Sequence, residues 1–550
     1  MAKKYKQVKA SLDSLHRIFT VPEASNSKLS SIEKAISKNL NSFLQDHVPL
    51  INCSLTDIEK DFCDPYIPEQ TTFVSDHTEF LLEKLIAQSV HTSSPRFIGH
   101  MTSALPYFLM PLSKIMIALN QNTVKIETSK AFTPLERQVL GMLHNLIYQR
   151  DANFYNSWMH SSAHSLGAFC SGGTIANITA LWVARNNQLK PEGNFKGVAE
   201  EGISHAMRYY GYKDLVVLVS ERGHYSLKKS ADILGIGQHS LIAIPTDDNN
   251  RIHLDKLEAV LIELKENNIK PFALVGVAGT TETGNIDPLD KMADIAEREC
   301  IHFHVDAAWG GASLMSNKQR PKLKGIERAD SVTIDAHKQL YVPMGTGMVL
   351  FKDPSLASAI EHHADYILRK SSKDLGCHTL EGSRSGITML LFFSLKIIGR
   401  QGYELLIDQS VDKAMYFAEL IKQKEDFELV SAPELCLLTY RYLPTLAREA
   451  LALATSEQTD QIHALLNTLT IFIQKRQREM GYSFVSRTRL TPSKWNRRPT
   501  DVFRVVLANP LTTHDILNDV LEEQRVIAQQ STTALPTLII LVDSILSKFR

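Results

Sequence analysis

A lysine directly follows an apolar strand pattern, and this position suggests that its amine does chemistry. In the stretch "ADSVTIDAHKQLYVPMGTGMVLF" the run "SVTI" ends in Asp335, His337 and Lys338, and a second strand pattern, "GMVLF", follows. Lysine is rarely buried at the end of a strand, because removing an ammonium group from water is costly. We therefore expect the Lys338 amine to face a bound group.

Other strand patterns also end in polar residues, at the place where open α/β sheets bind their ligands. The turn "SGGT" follows the strand pattern "GAFC" and opens a helix, so its backbone N–H groups and the helix dipole are suited to a phosphate. Taken singly, a glycine-rich turn is more often only a tight turn, a lone histidine is usually structural, and the threonines could simply cap a turn. The residues in question are Gly172, Gly173, Thr174, His224, Thr280 and Thr281.

The strand pattern "HFHVDA" places His302, His304 and Asp306 on one face, since alternate residues of a strand point the same way. Two imidazoles and a carboxylate suit a metal ion, so one hypothesis is a metal-dependent hydrolase. The next strand, however, ends in Lys338, whose ammonium would repel a divalent cation. The other hypothesis joins Asp306 and Lys338 in one cofactor site.

The combination of these residues fits an aromatic aldehyde that carries a phosphate. A lysine amine forms an imine with such an aldehyde, and an aspartate keeps the ring nitrogen protonated so that the ring accepts electrons. His224 would stack on the ring, and the glycines of "SGGT" would hold the phosphate.

A region of alternating strands and helices must position these residues. Between residues 168 and 351 short apolar runs alternate with amphipathic helices such as "TIANITALWVARNNQL". This alternation predicts an α/β fold with a mostly parallel sheet covered by helices. Helical periodicity dominates up to about Val90, and a smaller mixed segment follows Ser385, with strands near "ELCLLTYRYL" and "DVFRVVLANP" and a last helix near "THDILNDVLEEQRVIAQQ".

Composition narrows the functional classes. The chain has 550 residues, a formal net charge of zero and no basic stripe, which argues against a nucleic-acid partner. Its six cysteines form no CxxC pair, which favours a reducing cytoplasm over a disulfide framework. The N-terminus has no apolar signal core, and the late run "LIILV" is too short to span a bilayer. We expect a soluble cytoplasmic protein without a membrane partner.

Three motifs, "CSGGTIANITALWVAR", "HVDAAWGG" and "DSVTIDAHKQLYVP", closely resemble the group II pyridoxal-phosphate-dependent amino-acid decarboxylases, which include glutamate and aromatic amino-acid decarboxylases. The resemblance extends from about Phe97 to Pro510. "FIGHMTSALP", "LEGSRSG" and "RVVLANPLTT" are most similar to the bacterial pyridoxal-dependent aspartate 1-decarboxylases, which supply β-alanine for pantothenate. The resemblance thus implies a pyridoxal 5'-phosphate cofactor.

The resemblance also implies an architecture. The fold would be that of a PLP-dependent transferase, aspartate aminotransferase-like (fold type I), in a homodimer whose subunits share their active sites. We expect an N-terminal helical arm over residues 1–95 and a large cofactor-binding domain over 96–390. A linking helix and a small C-terminal α+β domain would occupy residues 391–550.

A role for each site residue follows from the same resemblance. Lys338 matches the lysine that binds the cofactor aldehyde, Asp306 the partner of the ring nitrogen, and Ala308 the residue under the ring. His224 matches the stacking histidine. The other residues that match the cofactor site are Gly172, Gly173, Thr174, Thr281 and His337.

Substrate recognition and proton transfer involve further residues. Arg384 matches the arginine that receives the substrate α-carboxylate, and His100 is a candidate for the side-chain carboxylate, or equally a core histidine. L-Aspartate, giving β-alanine and carbon dioxide, is favoured, and glutamate, giving γ-aminobutyrate, is the alternative. Many family members carry a proton-donating tyrosine on a mobile loop, but residues 369–382 contain none. The candidate donors are His224, His378 and Tyr366, in that order.

Overall fold

The computed structural model describes residues 7–8, 25–38, 54–364, 368 and 371–549. Tyr366 and the first two residues of the 369–382 loop lie outside the described residues. The strands are β1 (Gln7–Val8), β2 (Thr71–Thr72), β3 (Gly167–Cys170), β4 (Asp214–Ser220), β5 (Leu241–Ile244), β6 (Ile269–Val277), β7 (His302–Asp306), β8 (Ser331–Asp335), β9 (Gly347–Phe351), β10 (Phe427–Ser431), β11 (Leu437–Tyr442), β12 (Ser486–Leu490) and β13 (Thr500–Val506).

The α-helices alternate with these strands over most of the chain. They are α1 (Lys28–Lys38), α2 (Leu55–Glu59), α3 (Val74–Phe80), α4 (Leu109–Leu119), α5 (Ile126–Ser129), α6 (Phe132–Tyr148), α7 (Ala152–Trp158), α8 (Gly173–Gln188), α9 (Val198–Glu201), α10 (Ile203–Tyr210), α11 (Tyr225–Ile233), α12 (Leu254–Glu266), α13 (Leu289–Arg298), α14 (Thr388–Gln423), α15 (Thr445–Leu453), α16 (Ser456–Met480), α17 (His514–Gln529) and α18 (Ala534–Leu546).

Short helical turns complete the secondary structure. A π-helical turn covers Leu81–Ile86. The 3-10 turns cover Lys60–Phe62, Gln238–Ser240, Gly310–Met315, Arg320–Leu323, Ile326–Arg328, Pro354–Ile360, Leu375–His378 and Ser493–Trp495.

The central sheet has the strand order β3-β9-β8-β7-β6-β4-β5 among the described residues. Strands β8, β7, β6, β4 and β5 are parallel, and β9 runs antiparallel to both of its neighbours. These strands are apolar on both faces and almost wholly buried, as expected for a sheet covered by helices. Because the carboxyl ends of parallel strands meet at one edge, β7 and β8 bring Asp306 and Asp335 to the same edge.

Helix α8 packs across β9, β8, β7 and β6 on one face of this sheet. Its middle is almost fully buried, with Ala176, Ala180 and Leu181 each fully buried. The small side chains of Ala176 and Ala180 let the helix backbone approach the strands closely. The N-terminus of α8 therefore lies at the edge where the parallel strands end.

A second, antiparallel sheet has the order β10-β11-β13-β12 within the described part of the chain. The long helix α14 links it to the central sheet and is interrupted at Gly399, where φ is 67°. The α/β architecture with a mostly parallel large sheet and a small α+β unit is thereby confirmed. The expectation that the helix near residues 513–530 is the last one was wrong, since α18 follows it.

No single described helix is both long and apolar enough to cross a bilayer. The pair α17 and α18 reaches that length and apolarity only when its two helices, bent by 81°, are taken together.

Candidate active site

Lys338 lies in the turn that follows β8, and a buried carboxylate holds its amine. Lys338 Nζ is 3.0 Å from Asp335 Oδ2, and the Asp335 side chain is almost fully buried. The backbone N–H of Asp335 also donates to the carbonyl of Ala308 at 3.2 Å. The ends of β7 and β8 are therefore joined directly, with Lys338 beside them.

Asp306 is a buried carboxylate at the end of β7. Its Oδ2 accepts a hydrogen bond from Asn177 Nδ2 at 2.9 Å, and its Oδ1 accepts from the backbone N–H of Ala308 at 3.2 Å. Among the described residues no lysine, arginine or histidine forms an ion pair with it. A buried carboxylate without a cationic neighbour is costly, so this position suits a ligand that brings a proton or a positive charge.

The turn between β3 and α8 is close to both Asp335 and His337. A Cβ atom on Gly173 would lie 2.7 Å from Asp335 Oδ2, and a Cβ on Gly172 would lie 3.7 Å from His337 Cε1. Thr174 follows in the first turn of α8. The first N–H groups of a helix have no partner within the helix and favour an anion, so this turn is an anion cradle.

His224 caps the N-terminus of α11, where its Nδ1 accepts a hydrogen bond from the backbone N–H of Ser226 at 3.3 Å. Burial lowers the pKa of His224, and the charges of Asp306, Lys338 and Asp335 all act on it. His224 is therefore within electrostatic range of all three charged groups. The ring is neutral near pH 7, with its proton on Nε2.

The His337 ring is held in place by a hydrogen bond to Thr346 and by packing against Gly172. Its Nδ1 donates to the carbonyl of Thr346 at 3.1 Å, and burial lowers its pKa. Gly172 packs beside the ring. His337 is therefore a neutral, oriented side chain between the anion cradle and Lys338.

The carbonyl of Thr281 accepts a hydrogen bond from an arginine that no sequence motif identified. Arg504, in the middle of β13, donates from Nε to the carbonyl of Thr281 at 2.6 Å and from Nη1 to the carbonyl of Gly99 at 3.3 Å. Burial lowers the pKa of Arg504 to about 10, and Glu282 opposes this effect. Thr280, in contrast, uses its hydroxyl within the turn, 2.8 Å from Thr283 Oγ1.

His100 follows Gly99 and lies close to Lys338. Its Nδ1 is 3.3 Å from Thr102 Oγ1, and the side chain is exposed. Partial burial of the ring, which still has an exposed face, lowers the pKa of His100, and the charges of Arg504, Lys338 and His337 lower it further. The alternative of a core histidine is thus wrong, because the His100 side chain is exposed.

Arg384 forms a buried ion pair instead of standing free. Its Nη2 donates to Glu136 Oε1 at 2.8 Å, and Thr388 Oγ1 donates to the other carboxylate oxygen at 2.9 Å. Burial raises the pKa of the Cys170 thiol to about 12, and the Arg384 charge opposes this rise. Arg384 is therefore close to the end of β3, but Glu136 already neutralises its charge.

The candidate proton donors differ in where the structure places them. The charge of Lys338 acts on His224, whereas His378 is buried with its Nε2 3.9 Å from Glu361 Oε1. Burial lowers the pKa of His378 to about 4, and the charges of Arg137, His164 and His363 lower it further. Tyr366 lies outside the described residues. His224 is thus the described candidate that the geometry brings to the site.

The metal hypothesis finds no support in the geometry. Each of the three ligands it requires already has a hydrogen-bond partner: His302 and His304 contact Ser331, and Asp306 contacts Asn177. Within the described part of the chain, no group of three or more histidine, cysteine or acidic residues is arranged to hold a metal ion. His302, His304 and Asp306 instead belong to one hydrogen-bonded network.

The arrangement does fit pyridoxal phosphate. It offers an amine at Lys338, an uncompensated buried carboxylate at Asp306 and an anion cradle at Gly172 and Gly173. These are the groups needed to bind an aldehyde, a protonated ring nitrogen and a phosphate, respectively. The charges of Lys338 and Asp306 both act on the pKa of His224, which burial lowers.

Comparison with known proteins supports the same cofactor. The family model described as the pyridoxal-dependent decarboxylase conserved domain matches residues 65–443. The chain is 66% identical over 541 residues to an aspartate 1-decarboxylase from Aliivibrio fischeri, covering 98% of this chain and 99% of the relative.

Solved structures are similar over most of the chain. A crystal structure of mouse CSAD has a TM-score of 0.76 at 25% identity, covering 90% of this chain and 98% of that one. A structure of Oryza sativa TDC with PLP and tryptamine has a TM-score of 0.74 at 18% identity, covering 94% and 98%. At 18% identity, the similarity to the second structure shows a shared fold alone.

Proposed function

Since the chain belongs to the pyridoxal-dependent decarboxylase family, we propose that it converts L-aspartate to β-alanine and carbon dioxide. It is an amino-acid carboxy-lyase, and its cofactor is pyridoxal 5'-phosphate. The observation that carries the choice of substrate is the 66% identity, over 98% of this chain, to a relative named aspartate 1-decarboxylase.

Five described residues would hold the cofactor. Lys338 would bind its aldehyde carbon, Asp306 would accept a hydrogen bond from the protonated ring nitrogen, and Gly172 and Gly173 would surround its phosphate. His224 would pack on the ring. When bound, the cofactor supplies an electron-accepting ring that stabilises the charge left at Cα when carbon dioxide departs. Thr174, Thr281, Ala308 and His337 complete the proposed cofactor site.

The chain itself orients the substrate and moves its protons. Asp335 holds the Lys338 ammonium at 3.0 Å, so a carboxylate is in place to take a proton when the amine reacts. Asp306, as an anion, keeps the proton on the ring nitrogen and so strengthens electron withdrawal. His224, with its proton on Nε2, is the proposed donor to Cα.

Two guanidinium groups are candidates for the substrate carboxylates. Arg504 is better suited, because it forms no ion pair among the described residues and its charge acts on His100. Arg384 is the residue that the family resemblance favours for the α-carboxylate, but it would first have to leave Glu136. We propose that Arg504 binds one carboxylate of aspartate and that His100 lies beside the other.

Glutamate is the alternative substrate within the family. It is longer than aspartate by one methylene, a difference worth only about 1–3 kcal/mol in a pocket, so some activity on both is expected. The relatives also act on other acids, since one is named cysteine sulfinic acid decarboxylase.

The decisive measurement compares aspartate, glutamate, cysteine sulfinate and tyrosine on one preparation by steady-state kinetics. We expect the highest kcat/KM for aspartate, with β-alanine as product. Borohydride reduction followed by peptide mapping should place the cofactor mass on Lys338, and Lys338→Ala should lack both the label and the activity. A preference for glutamate would refute only the choice of aspartate as the substrate. A label on another lysine would refute the proposed cofactor site.

Further parts of the proposal concern the cell and the assembly. We propose a cytoplasmic homodimer whose β-alanine supplies pantothenate synthesis, as the family resemblance implies. Free thiols are consistent with a reducing compartment. The described cysteines, all free, are Cys63, Cys170, Cys300, Cys377 and Cys436.

A further inference from the structure

The side-chain amide of Asn177 lies at the junction of three buried hydrogen bonds. Asn177 is one turn into α8 and is 1% exposed. Its Nδ2 is 2.9 Å from Asp306 Oδ2 and 3.1 Å from Ser226 Oγ, and its Oδ1 is 3.1 Å from His304 Nε2. The amide thus uses both of its hydrogens and its oxygen.

The orientation of this amide is fixed by charge. A flipped amide would place its carbonyl oxygen against the Asp306 carboxylate, which is repulsive, so Nδ2 must face Asp306. Oδ1 must then accept, and His304 carries its proton on Nε2.

The same reasoning assigns the protons of Ser331 and His302, the next two residues of the network after His304. His304 Nδ1 has no hydrogen and accepts from Ser331 Oγ at 2.9 Å. The single hydroxyl hydrogen of Ser331 is then used, so Ser331 accepts from His302 Nε2 at 2.8 Å. Every donor in this chain points toward Asp306.

A branch of the network leads to His224. Ser226 Oγ accepts from Asn177 and, 2.8 Å away, donates to His224 Nδ1. The backbone N–H of Ser226 donates to the same nitrogen. His224 is therefore held as the tautomer with its proton on Nε2, the form that can donate into the site.

We propose that Asn177 is a positioning residue that couples the two halves of the reaction: its amide orients the Asp306 carboxylate, and through the hydroxyl of Ser226 it supports the Nε2–H tautomer of His224. A hydrogen bond donated to a carboxylate favours the ionised form, and aligned donors strengthen it. The inference rests on the proposed role of Asp306 toward the ring nitrogen.

The fold gives a reason for this coupling. Helix α8 begins at the anion cradle, and Asn177 follows Gly173 by four residues, so one helix holds both the phosphate turn and the amide behind Asp306. The histidines of "HFHVD" have a place in this scheme as donors behind the amide rather than as metal ligands.

The test uses the holoenzyme and the variants Asn177→Leu and Asn177→Asp. Asn177→Leu removes both donors at similar size, and we expect kcat to fall about 10- to 100-fold, as for loss of a hydrogen bond to a charged group. KM for aspartate should change by less than about threefold, because Asn177 is proposed to act only through Asp306 and His224. The pH at which the absorption of the bound cofactor changes should also shift.

Asn186→Leu is the matched control. Asn186 is on the same helix, is 4% exposed and donates to the carbonyl of Ala359 at 2.8 Å, away from the site. This variant should lower thermal stability but keep the wild-type absorption profile and kcat. If Asn177→Leu fails to fold, Asn177→Asp carries the test, since it keeps the shape and replaces the donor to Asp306 by an oxygen.

A wild-type kcat and absorption profile in either folded Asn177 variant would overturn the inference. Asp306→Asn, measured in parallel, separates this outcome from failure of the proposed function. If Asp306→Asn changes the absorption profile and Asn177→Leu does not, only the coupling by Asn177 is wrong. If neither changes it, Asp306 does not hold the ring nitrogen.

Discussion

At the scale of single residues, Arg504 distinguishes this site from the one that motifs alone describe. We predict that Arg504→Gln raises KM for aspartate about 10- to 100-fold, because a charge-assisted hydrogen bond to a carboxylate contributes about 1.5–3 kcal/mol. Steady-state kinetics would show this. Arg489→Gln is the control, since Arg489 is on the neighbouring strand β12, pairs with Asp501 and is 59% exposed. An unchanged KM in Arg504→Gln would exclude it as the carboxylate partner.

Arg384→Gln completes the comparison. Removing Arg384 leaves the buried Glu136 carboxylate without its partner, an effect that costs about 3–5 kcal/mol in buried ion pairs. We expect this variant to melt at a lower temperature, as seen by thermal unfolding. A raised KM without loss of stability would instead indicate that Arg384 binds the substrate α-carboxylate.

Sequence reasoning identifies the site residues that lie in short motifs, and it misses those defined by distant contacts. Lys338 and Asp306 each follow an apolar strand, so a pattern marks them. Arg504 contacts Thr281, which is 223 positions away in the sequence. The only local signal was an arginine inside the apolar strand "VFRVV". The partner of Arg384, Glu136, is 248 positions away and has no local signal at all.

At the scale of elements, the start of α8 depends on the absence of a side chain at Gly173. We predict that Gly173→Ala weakens binding of pyridoxal phosphate about tenfold or more, because the new Cβ would lie 2.7 Å from Asp335 Oδ2 and overpacking costs about 1–3 kcal/mol. Gly172→Ala should have a smaller effect, since its Cβ would meet His337 at an ordinary 3.7 Å. Equilibrium dialysis measures both, and equal affinities would contradict the close approach.

Strands buried on both faces were the elements easiest to predict. The patterns "GAFC" and "GMVLF" have the bounds of β3 and β9. Strands β10 and β12 of the small sheet were not predicted, because "FELVS" and "SRTRL" mix polar residues with apolar ones. The reversed direction of β9 also has no local signal, since direction depends on how the chain returns to the sheet.

At the scale of the whole molecule, helix α4 carries an apolar surface that the described chain leaves uncovered. Ile115, Ile117 and Leu119 are exposed, with Ile117 at 70%, and Tyr107 lies just before the helix with 87% exposure. Several exposed apolar side chains on one helix of a soluble protein favour an interaction site. We therefore expect the stretch "YFLMPLSKIMIALNQN", which contains these residues, to contact a second copy of the chain, because the family resemblance implies a homodimer.

We therefore predict that Ile117→Glu weakens the dimer, because a charge buried in an apolar interface must lose its hydration without gaining a partner. Sedimentation velocity at dilute protein should show a larger monomer fraction than in wild type, and activity should fall with it, since the subunits are expected to complete each other's sites. Ile262→Glu is the matched control: Ile262, on α12, is 60% exposed and lies outside this surface. A dimer that persists in Ile117→Glu would move the interface elsewhere, and a wild-type monomer with full activity would contradict the shared site.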